Sequence, residues 1–342
     1  MDSDSDDHHQ IAIVFNLEEK TTRGDPKDLI ALEDTISTTQ YLYEAMRTAG
    51  YRVVKVAARK SLKSFRQELL RFSPTSTFIF NNCDGFKGVN AGSIGVTRVI
   101  EELGFKHSGS RPETIELCIN KTKTKEKLVA AGIPTPAYQV FDKPEGDVRV
   151  PFPAIVKPAL EDGSLGIDRE SIVTNPIDLM LRVEYVIKHY DEPVLVEEFI
   201  PGRELNVAVW GNDVVEALPV DEQEYSKINN PLEWLLTYES KWISDSPYYQ
   251  NITARCPADL SPAEERYVKS VAVDTFKAIG LRDFGRVDMR YLNGIAYVVD
   301  VNEIPDLAPT SGFPVTAAAA GYDYQAMVKR LVELGLKREG WL

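Results

Sequence analysis

Short apolar runs and segments of helical period alternate in the N-terminal part of the chain. Three runs have the pattern of strands, Ile11–Phe15, Tyr51–Ala57 and Thr77–Phe80, and two segments between them repeat at helical period, Leu29–Ala49 and Leu62–Phe72. Strands that alternate with helices predict a parallel sheet. Ligands of such sheets collect beyond the carboxyl ends of the strands, so the polar residues that follow the strands are candidates for a site.

The middle of the chain begins with a lysine-rich helix over Asn120–Ala131, which Gly132 ends. The proline-containing segment 133–136 then predicts a hinge between domains. Beyond it the pattern predicts four strands and one helix: strands at Pro151–Pro158, Val194–Ile200, Glu204–Trp210 and Val214–Pro219, and a helix at Pro176–His189. The polar and aromatic segment Glu222–Gln250 lacks a strong period, so we predict a loop that covers a site.

Near the C-terminus two alternating segments are joined by Asn293-Gly294, a strong hairpin signal. They are Phe284–Tyr291 and Ile295–Val301, and predicted helices Ser261–Ile279 and Tyr322–Leu336 flank them. A two-residue loop would pair Asp288 with Val299 and put Asp288 and Asp300 on opposite faces of the sheet. A three-residue loop with a bulge would instead pair Asp288 with Asp300. We predict this bulged loop because it gathers four polar residues on one face: Arg286, Asp288, Asp300 and Asn302.

Composition narrows the class of protein. The 342 residues include 39 Lys and Arg against 52 Asp and Glu, a formal charge of −13, which argues against a nucleic-acid partner. Three cysteines without metal-ligand spacing argue against a disulfide framework or a zinc site and favour the cytoplasm. No apolar run has the length of a membrane helix, and the acidic N-terminus is unlike a signal peptide, so no membrane partner is expected.

Four motifs occur in a fixed order: VKPALEDGSLGI from Val156, VEEFIPGREL from Val196, GRVD from Gly285 and DVNEIP from Asp300. Together they closely resemble the motifs of the ATP-grasp ligases, and their sequences are most similar to those of the D-alanine:D-alanine ligase branch. The resemblance is strong from about Phe105 to Leu336. Before that it is only topological, apart from the helix around Glu33.

The resemblance implies a site for ATP. A strand-end lysine followed by a glycine-rich loop suits phosphate, because backbone amides can approach it closely. In the family, two lysines and the glycine-rich loop bind the nucleotide phosphates, and the matching positions here are Lys121, Lys157, Glu161, Gly163, Ser164 and Gly166. The residues that bind the adenine and the ribose correspond to Glu197, Glu198, Phe199, Ile200 and Glu204. Lys241 resembles the lid lysine that reaches the γ-phosphate. Lys121 also fits a solvated lysine-rich helix face, and the family commonly has tyrosine at the position of Trp242, beside Lys241.

The predicted hairpin face suits a divalent cation. Asp288, Asp300 and Asn302 offer the hard oxygen ligands that Mg²⁺ prefers, although polar residues on a solvated strand face would look the same. The resemblance implies two Mg²⁺ ions, with Mn²⁺ as a substitute, and the family usually has glutamate at position 300. Arg286 is expected to stabilise negative charge on the attacked carbonyl. With Arg286, the predicted catalytic residues are Ser164 and Lys241.

Substrate residues are also implied, with departures from the family. Ser311 resembles the serine that binds the second amino acid's carboxylate, and Glu33 resembles the acid that holds the first substrate's ammonium. Asp306 replaces a glycine whose amide assists the oxyanion, which adds a negative charge beside the reacting centre. The loops after the first and third strands differ from the family too, and Asn82 and Asp84 are candidate substrate ligands there.

The sequence therefore predicts an ATP-grasp fold of mixed α/β and α+β class. We expect an acidic tail at 1–10, an N-terminal parallel-sheet subdomain at 11–118, a small central α+β subdomain at 119–202 and a C-terminal antiparallel-sheet subdomain at 203–342. The expected function is ATP-dependent amide formation between two amino-acid-like or peptide substrates through an acyl phosphate. Two alternatives stay open: the same chemistry on other substrates in a specialised pathway, or an ATP-binding regulatory protein without catalysis. The family also suggests a homodimer.

Overall fold

The structure is a computed structural model that describes residues 10–17, 29–86, 91–237, 240, 245–246 and 250–342; the side chains of 29–34 are outside the description. Glu33, Lys241 and Trp242 therefore keep the standing of sequence predictions. Of the helices in this part of the chain, none combines the length and apolar character needed to cross a membrane.

The N-terminal unit is a four-stranded parallel sheet with helices between its strands. Its elements are β1 (Gln10–Asn16), α1 (Leu29–Thr48), β2 (Arg52–Ala58), α2 (Leu62–Leu69), β3 (Thr77–Asn82), α3 (Gly92–Glu102) and β4 (Lys106–His107). The strand order is β2-β1-β3-β4, and all three pairings are parallel. Because β1 and β3 are neighbours, the residues after Asn16 and Asn82 share one edge of the sheet, as the sequence predicts.

Two helices and a second sheet follow. These are α4 (Pro112–Ile119), α5 (Lys121–Ala130), β5 (Tyr138–Phe141), β6 (Ala154–Pro158), β7 (Ile172–Val173), α6 (Pro176–Tyr190) and β8 (Val194–Glu198). The strands pair antiparallel in the order β5-β8-β6-β7. Buried apolar residues of α6, such as Leu179 and Val183, pack with Val156 and Val196 of the sheet.

A third, antiparallel sheet occupies the C-terminal part. Its elements are β9 (Arg203–Gly211), β10 (Val215–Ala217), β11 (Asp221–Glu224), β12 (Thr253–Arg255), α7 (Pro262–Ile279), β13 (Asp283–Leu292), β14 (Ile295–Asn302), α8 (Gly312–Ala319) and α9 (Tyr324–Arg338). The order is β12-β11-β9-β13-β14, with β10 on β9. The predicted loop Glu222–Gln250 is wrong at its start, because β11 pairs with β9 there. A polar strand of four residues has no apolar alternation to reveal it.

Local sequence explains where α7 begins and ends. The Ser261 side chain accepts from the Glu264 backbone while the Glu264 side chain accepts from the Ser261 amide, and together these two bonds form a capping box. At the other end Gly280 has φ 84°, in the left-handed region that glycine adopts without steric cost.

The hairpin has the predicted pairing by a different route. Asn293 and Gly294 form a two-residue turn, both with positive φ, and Leu292 pairs with Ile295. The register then shifts between Asp288 and Met289, so that Met289 pairs with Val298 and Asp288 with Asp300. The predicted three-residue loop with a bulge at the turn is therefore wrong. The bulge lies within β14, where Val299 is the extra residue. A bulge there turns the strand's polar residues to the required face without straining the turn.

The units share cores. One buried cluster joins Ile13 and Phe80 of the first sheet to Trp210 and Phe284 of the third. Another joins Leu128 of α5 to Val298, Val287 and other residues of the third sheet. The helix that carries the predicted nucleotide lysine is therefore held against the hairpin, while the domain boundaries given above stay predictions.

Candidate active site

Helix α5 buries two of its lysines. Lys121 and Lys125 are one turn apart on the same side of the helix and are only 6% and 2% exposed, whereas Lys123 and Lys127 are exposed. The predicted solvated face therefore exists, but Lys121 does not belong to it. A buried ammonium needs anionic partners.

Lys121 connects the glycine-rich loop to the hairpin. Its Nζ lies 2.7 Å from Oδ1 of Asp162 and 3.1 Å from Oδ1 of Asp300. Burial lowers the pKa of Lys121, but the two carboxylates outweigh this effect and raise it. Burial likewise raises the pKa of Asp300, but Lys121 and Lys157 outweigh it and the pKa is lowered. Both groups are therefore charged at neutral pH.

Glu197 is bound by two buried lysines. On the paired strands β6 and β8, Lys157 faces the same side as Glu197, and both Lys157 and Lys125 form ion pairs with its carboxylate. Burial, together with repulsion from Lys157, lowers the pKa of Lys125 to about 8 despite Glu197. If Glu197 also accepts from adenine, as the resemblance implies, it must share its oxygens with the lysines. Lys125 was missed by sequence reasoning, although its spacing of four from Lys121 is a signal for one helix face.

The glycine-rich loop has a rigid left-handed framework. Gly163, Ser164 and Gly166 all have positive φ. A Cβ on Gly166 would lie 2.6 Å from Cγ of Pro158 and 3.0 Å from Cζ of Tyr190, so only glycine fits there. The Ser164 hydroxyl donates to the Leu236 carbonyl at 2.9 Å, which connects the glycine-rich loop to the middle of the predicted loop Glu222–Gln250.

Arg182 of α6 holds the end of this loop, and sequence reasoning missed it. Its side chain is 4% exposed, and Nη2 donates to the Gly166 carbonyl at 2.9 Å and to Ser171 Oγ at 3.0 Å. The same nitrogen lies 3.0 Å from Oδ2 of Asp168. The guanidinium also stacks over the Tyr185 ring, 4.5 Å from its centroid. Glu161, at the other end of the loop, is buried.

The predicted ribose acid has strong partners. Glu204 Oε2 lies 2.9 Å from Nη2 of Arg290 and accepts a hydrogen bond from the Tyr225 hydroxyl. Burial, together with the Glu204 carboxylate, raises the pKa of Tyr225. Arg290 also covers the buried Phe199 ring, 5.2 Å from its centroid. Glu198 and Ile200 flank Phe199, so the predicted adenine linker borders this cluster.

The hairpin gathers its four polar residues as predicted. Arg286 Nε and Nη2 donate to Oδ1 and Oδ2 of Asp288 at 2.7 and 2.9 Å, and Asn302 Nδ2 donates to Asp288 Oδ2 at 3.0 Å. Asp300 is the cross-strand partner of Asp288. Burial lowers the pKa of Arg286, but Asp288 outweighs it and the pKa is raised. Two carboxylates and a carboxamide on one face fit a divalent cation.

The polar row extends across the sheet. Asp288 pairs with Asn206 of β9, which pairs in turn with Asp221 of β11. Asp221 is 1% exposed and accepts from Asn206 and Gln223. Sequence reasoning missed Asp221 because it lies between the predicted strand Val214–Pro219 and the predicted loop Glu222–Gln250, and the strand that it begins was not predicted.

The substrate candidates line the edge between the first and third sheets. Asn82 donates to Thr39 Oγ1 of α1 at 3.3 Å. Asp306 is exposed, and its Oδ1 accepts from the Ala308 amide at 2.8 Å. Ser311 Oγ lies 2.7 Å from the Asp306 carbonyl oxygen, so these two predicted substrate residues belong to one turn.

Known proteins share this sequence pattern and fold. A family model described as D-ala D-ala ligase C-terminus matches residues 128–333. The uncharacterized protein y4sG of Sinorhizobium fredii is 29% identical over 299 residues, 86% of each chain. The D-alanine–D-alanine ligase of Alcanivorax borkumensis is 32% identical over 241 residues, 70% of this chain and 72% of that one. The D-alanine–D-alanine ligase of Bacillus anthracis in complex with ATP superposes with a TM-score of 0.74 at 20% identity, covering 97% and 99% of the two chains.

Proposed function

The chain belongs to the D-alanine–D-alanine ligase family of ATP-grasp enzymes, and from that premise we propose that it joins two amino-acid-like substrates through an acyl phosphate. Family membership makes it an ATP-dependent carboxylate–amine ligase. In the proposed reaction a carboxylate attacks the γ-phosphate of ATP and ADP leaves. The amine of the second substrate then attacks the acyl phosphate, loses a proton and releases inorganic phosphate.

The observation that carries this proposal is the hairpin face opposite the buried lysines. Arg286, Asp288, Asp300 and Asn302 project from one face, and Lys121 reaches across from α5 to Asp300. Cations and oxygen ligands are thus held together in a half-buried site. Preorganised charges of this kind stabilise a transition state without rearranging as charge develops.

Each group has a separate task in the proposal. Lys121 and Lys157 bind phosphate oxygens of ATP, and the loop with Gly163, Ser164 and Gly166 covers them through its backbone amides. Arg286 stabilises the negative charge that develops on the attacked carbonyl oxygen. No side-chain nucleophile is needed, because the substrate carboxylate is itself the nucleophile.

The family also implies a divalent metal. We propose Mg²⁺, with two ions, held by Asp288, Asp300 and Asn302, whose oxygen atoms are the ligands it prefers. When bound, it would offset charge between the ATP oxygens and the incoming carboxylate. Aspartate at position 300 is one methylene shorter than the glutamate of the family, so the second ion is expected to bind more weakly. The homodimer and the cytoplasmic location stay predictions.

The substrates have two candidate identities. D-Alanine is the substrate named for the relatives, and the shared hairpin face favours it. Asp306 and Asp84 favour other amino acids in a specialised pathway. Asp306 places a carboxylate where the family has a glycine, and Asp84 places one in a loop that differs from the loop of the family. The deciding experiment is Mg²⁺-dependent phosphate release from ATP with D- and L-amino acids and dipeptides, singly and in pairs, with mass spectrometry of the products. If no pair of amino acids or dipeptides released phosphate, this result would contradict the ligase proposal and favour a regulatory ATP-binding protein.

The role of Arg286 has its own test. We expect Arg286→Ala to bind ATP but to lose ligation by about two orders of magnitude or more, the scale for removing one oxyanion donor. Arg255→Ala, which removes an exposed arginine of the same sheet, is the matched control. Turnover of the Arg286 variant close to that of the control would remove Arg286 from this role.

A further inference from the structure

Strand β13 buries a second arginine on the face that carries Arg286. Arg290 lies directly across from Glu204 of β9, and Nη2 of its guanidinium is 2.9 Å from Oε2 of that carboxylate. Four residues of a strand span about 13 Å, so Arg290 lies well away from Arg286 and the proposed reaction centre. A buried guanidinium requires an anionic partner, and here that partner is the predicted ribose acid.

Several segments of the chain hold the Arg290 guanidinium in one orientation. Nη1 donates to the Gly202 carbonyl at 3.2 Å, and Nη2 donates to the Trp234 carbonyl. The centroid of the Phe199 ring lies 5.2 Å from the guanidinium carbon, and the centroid of the Tyr225 ring lies 5.9 Å from it. Because backbone carbonyls and aromatic rings fix the guanidinium, it sets the position of the carboxylate that it binds.

Two donors act on the same oxygen of Glu204. The Tyr225 hydroxyl donates to Oε2, the oxygen that also faces Nη2 of Arg290. Burial, together with the Glu204 carboxylate, raises the pKa of Tyr225, so its hydroxyl stays protonated and remains a donor. Oε1 is therefore the oxygen that the described residues leave for a further donor. A sugar hydroxyl is such a donor, and a carboxylate accepts from it more strongly than a neutral group does.

We infer that Arg290 is a positioning residue for the sugar of the nucleotide. Together with Tyr225 it fixes Glu204 so that Oε1 accepts a hydrogen bond from a ribose hydroxyl. The inference rests on the proposed function, which requires ATP, and it makes the preference for ribose over deoxyribose depend on Arg290. An ion pair that only stabilised the fold would not distinguish one sugar from another.

The discriminating measurement is a ratio of nucleotide dissociation constants. The wild-type protein is titrated with ATP, 2′-deoxyATP and 3′-deoxyATP in the presence of Mg²⁺. We expect at least one deoxy analogue to bind about tenfold more weakly than ATP, the scale of one hydrogen bond to a charged acceptor. Equal affinity for the three nucleotides would overturn the inference and leave ATP binding and the ligase function intact. If the wild-type protein bound none of them, this result would contradict the proposed function itself.

The variant Arg290→Met tests the positioning role. It keeps the apolar stem of the side chain but removes every donor, so Glu204 loses its fixed orientation. We expect the ratio of the deoxy-analogue dissociation constant to that of ATP to fall by about threefold or more. Arg255→Met, at an exposed arginine of β12 in the same sheet, is the matched control and should keep the wild-type ratio. An unchanged ratio in Arg290→Met, even with weaker binding of every nucleotide or a lower Tm, would overturn the inference.

A milder variant decides the question if Arg290→Met does not fold. Tyr225→Phe removes only the hydroxyl that donates to Oε2 of Glu204, and it keeps the ring that stacks on Trp234 with 6.2 Å between centroids. We expect this variant to lower the same ratio by about threefold, because one of the two donors to Oε2 is lost. If only Tyr225→Phe folds and its ratio equals that of the wild-type protein, the inference is overturned.

Discussion

Arg182 offers a sharp test of how the nucleotide loop is built. The side chain is buried on α6, and its Nη2 donates to the carbonyl of Gly166 at 2.9 Å. Arg182→Met keeps the length and apolar stem of the side chain but removes every donor. The Gly166 carbonyl then keeps only the long hydrogen bond from the Ser171 hydroxyl at 3.5 Å, and ATP has to supply more of the order of the loop. We therefore expect the Arg182→Met variant to bind ATP more weakly, although Arg182 contacts no reacting group.

The magnitude follows from the lost bonds. A hydrogen bond from a charged donor contributes about 1.5–3 kcal/mol, and leaving a buried acceptor unpaired costs about 1–3 kcal/mol. Only the bond to Gly166 belongs to the loop that is proposed to cover ATP, since Ser171 and Asp168 follow it. A loss of about 1–3 kcal/mol corresponds to an increase of about 5- to 150-fold in the ATP dissociation constant. The turnover number should change far less, because no transition-state contact is removed.

The assay is calorimetric or fluorescence titration of the variant with ATP and Mg²⁺, with thermal unfolding measured in parallel. Arg149→Met, at an exposed arginine of the same unit, is the control for loss of one guanidinium. Arg182→Lys should recover little, because an ammonium cannot form the same planar set of bonds. A folded Arg182→Met protein whose ATP dissociation constant stays within twofold of the control would refute this account of the loop.

Two further predictions concern stability and pH. Asp283 is fully buried and accepts from the Gly109 amide at 2.8 Å and from Arg338 at 2.9 and 3.0 Å. We expect Asp283→Asn, which tolerates the same positive φ, to lower the free energy of unfolding measured in urea by about 3–5 kcal/mol. A loss below about 1 kcal/mol would contradict a central role for this cluster. Partial loss of water raises the pKa of Asp84 to about 6, so its carboxylate becomes protonated as the pH falls through 6. If Asp84 accepts a hydrogen bond from the substrate, as predicted, KM for that substrate should therefore rise between pH 7 and 5, and Asp84→Asn should lose that part of the dependence; an identical profile in the variant would exclude Asp84 as its source.

The regular elements could be predicted because their signals are local. Helix α7 has a capping serine, a glutamate three residues later and a terminal glycine within one short segment. The two central strands of the first sheet, β1 and β3, have buried apolar residues on both faces, as expected for a parallel sheet covered by helices. The short strand β11 could not be found in this way, because its residues Asp221–Glu224 are all polar and show no apolar alternation.

The hairpin shows how a correct result can follow from incomplete reasoning. The need to bring Asp288 and Asp300 to one face predicted a bulge, but not its position. The signal was in the apolar residues: Ala296 and Val298 are buried and two apart, while the next buried residue, Val301, is three further on. That change of phase marks the extra residue at Val299. Alternation read together with burial would have located it.

The contacts that define substrate choice come from distant parts of the chain, which no local pattern reveals. The chemistry of the family requires only a carboxylate, ATP and an amine, so one hairpin face can serve many substrates. That face lies within residues 128–333, where the family model matches. Asn16 and Asp84 lie outside the matched range, on a sheet whose core is continuous with that of the hairpin through Phe80 and Phe284. Because this core joins the sheet edge to the hairpin, we expect a change of charge at Asp84, a candidate substrate ligand, to alter which substrate is aligned without altering the groups that are proposed to activate it.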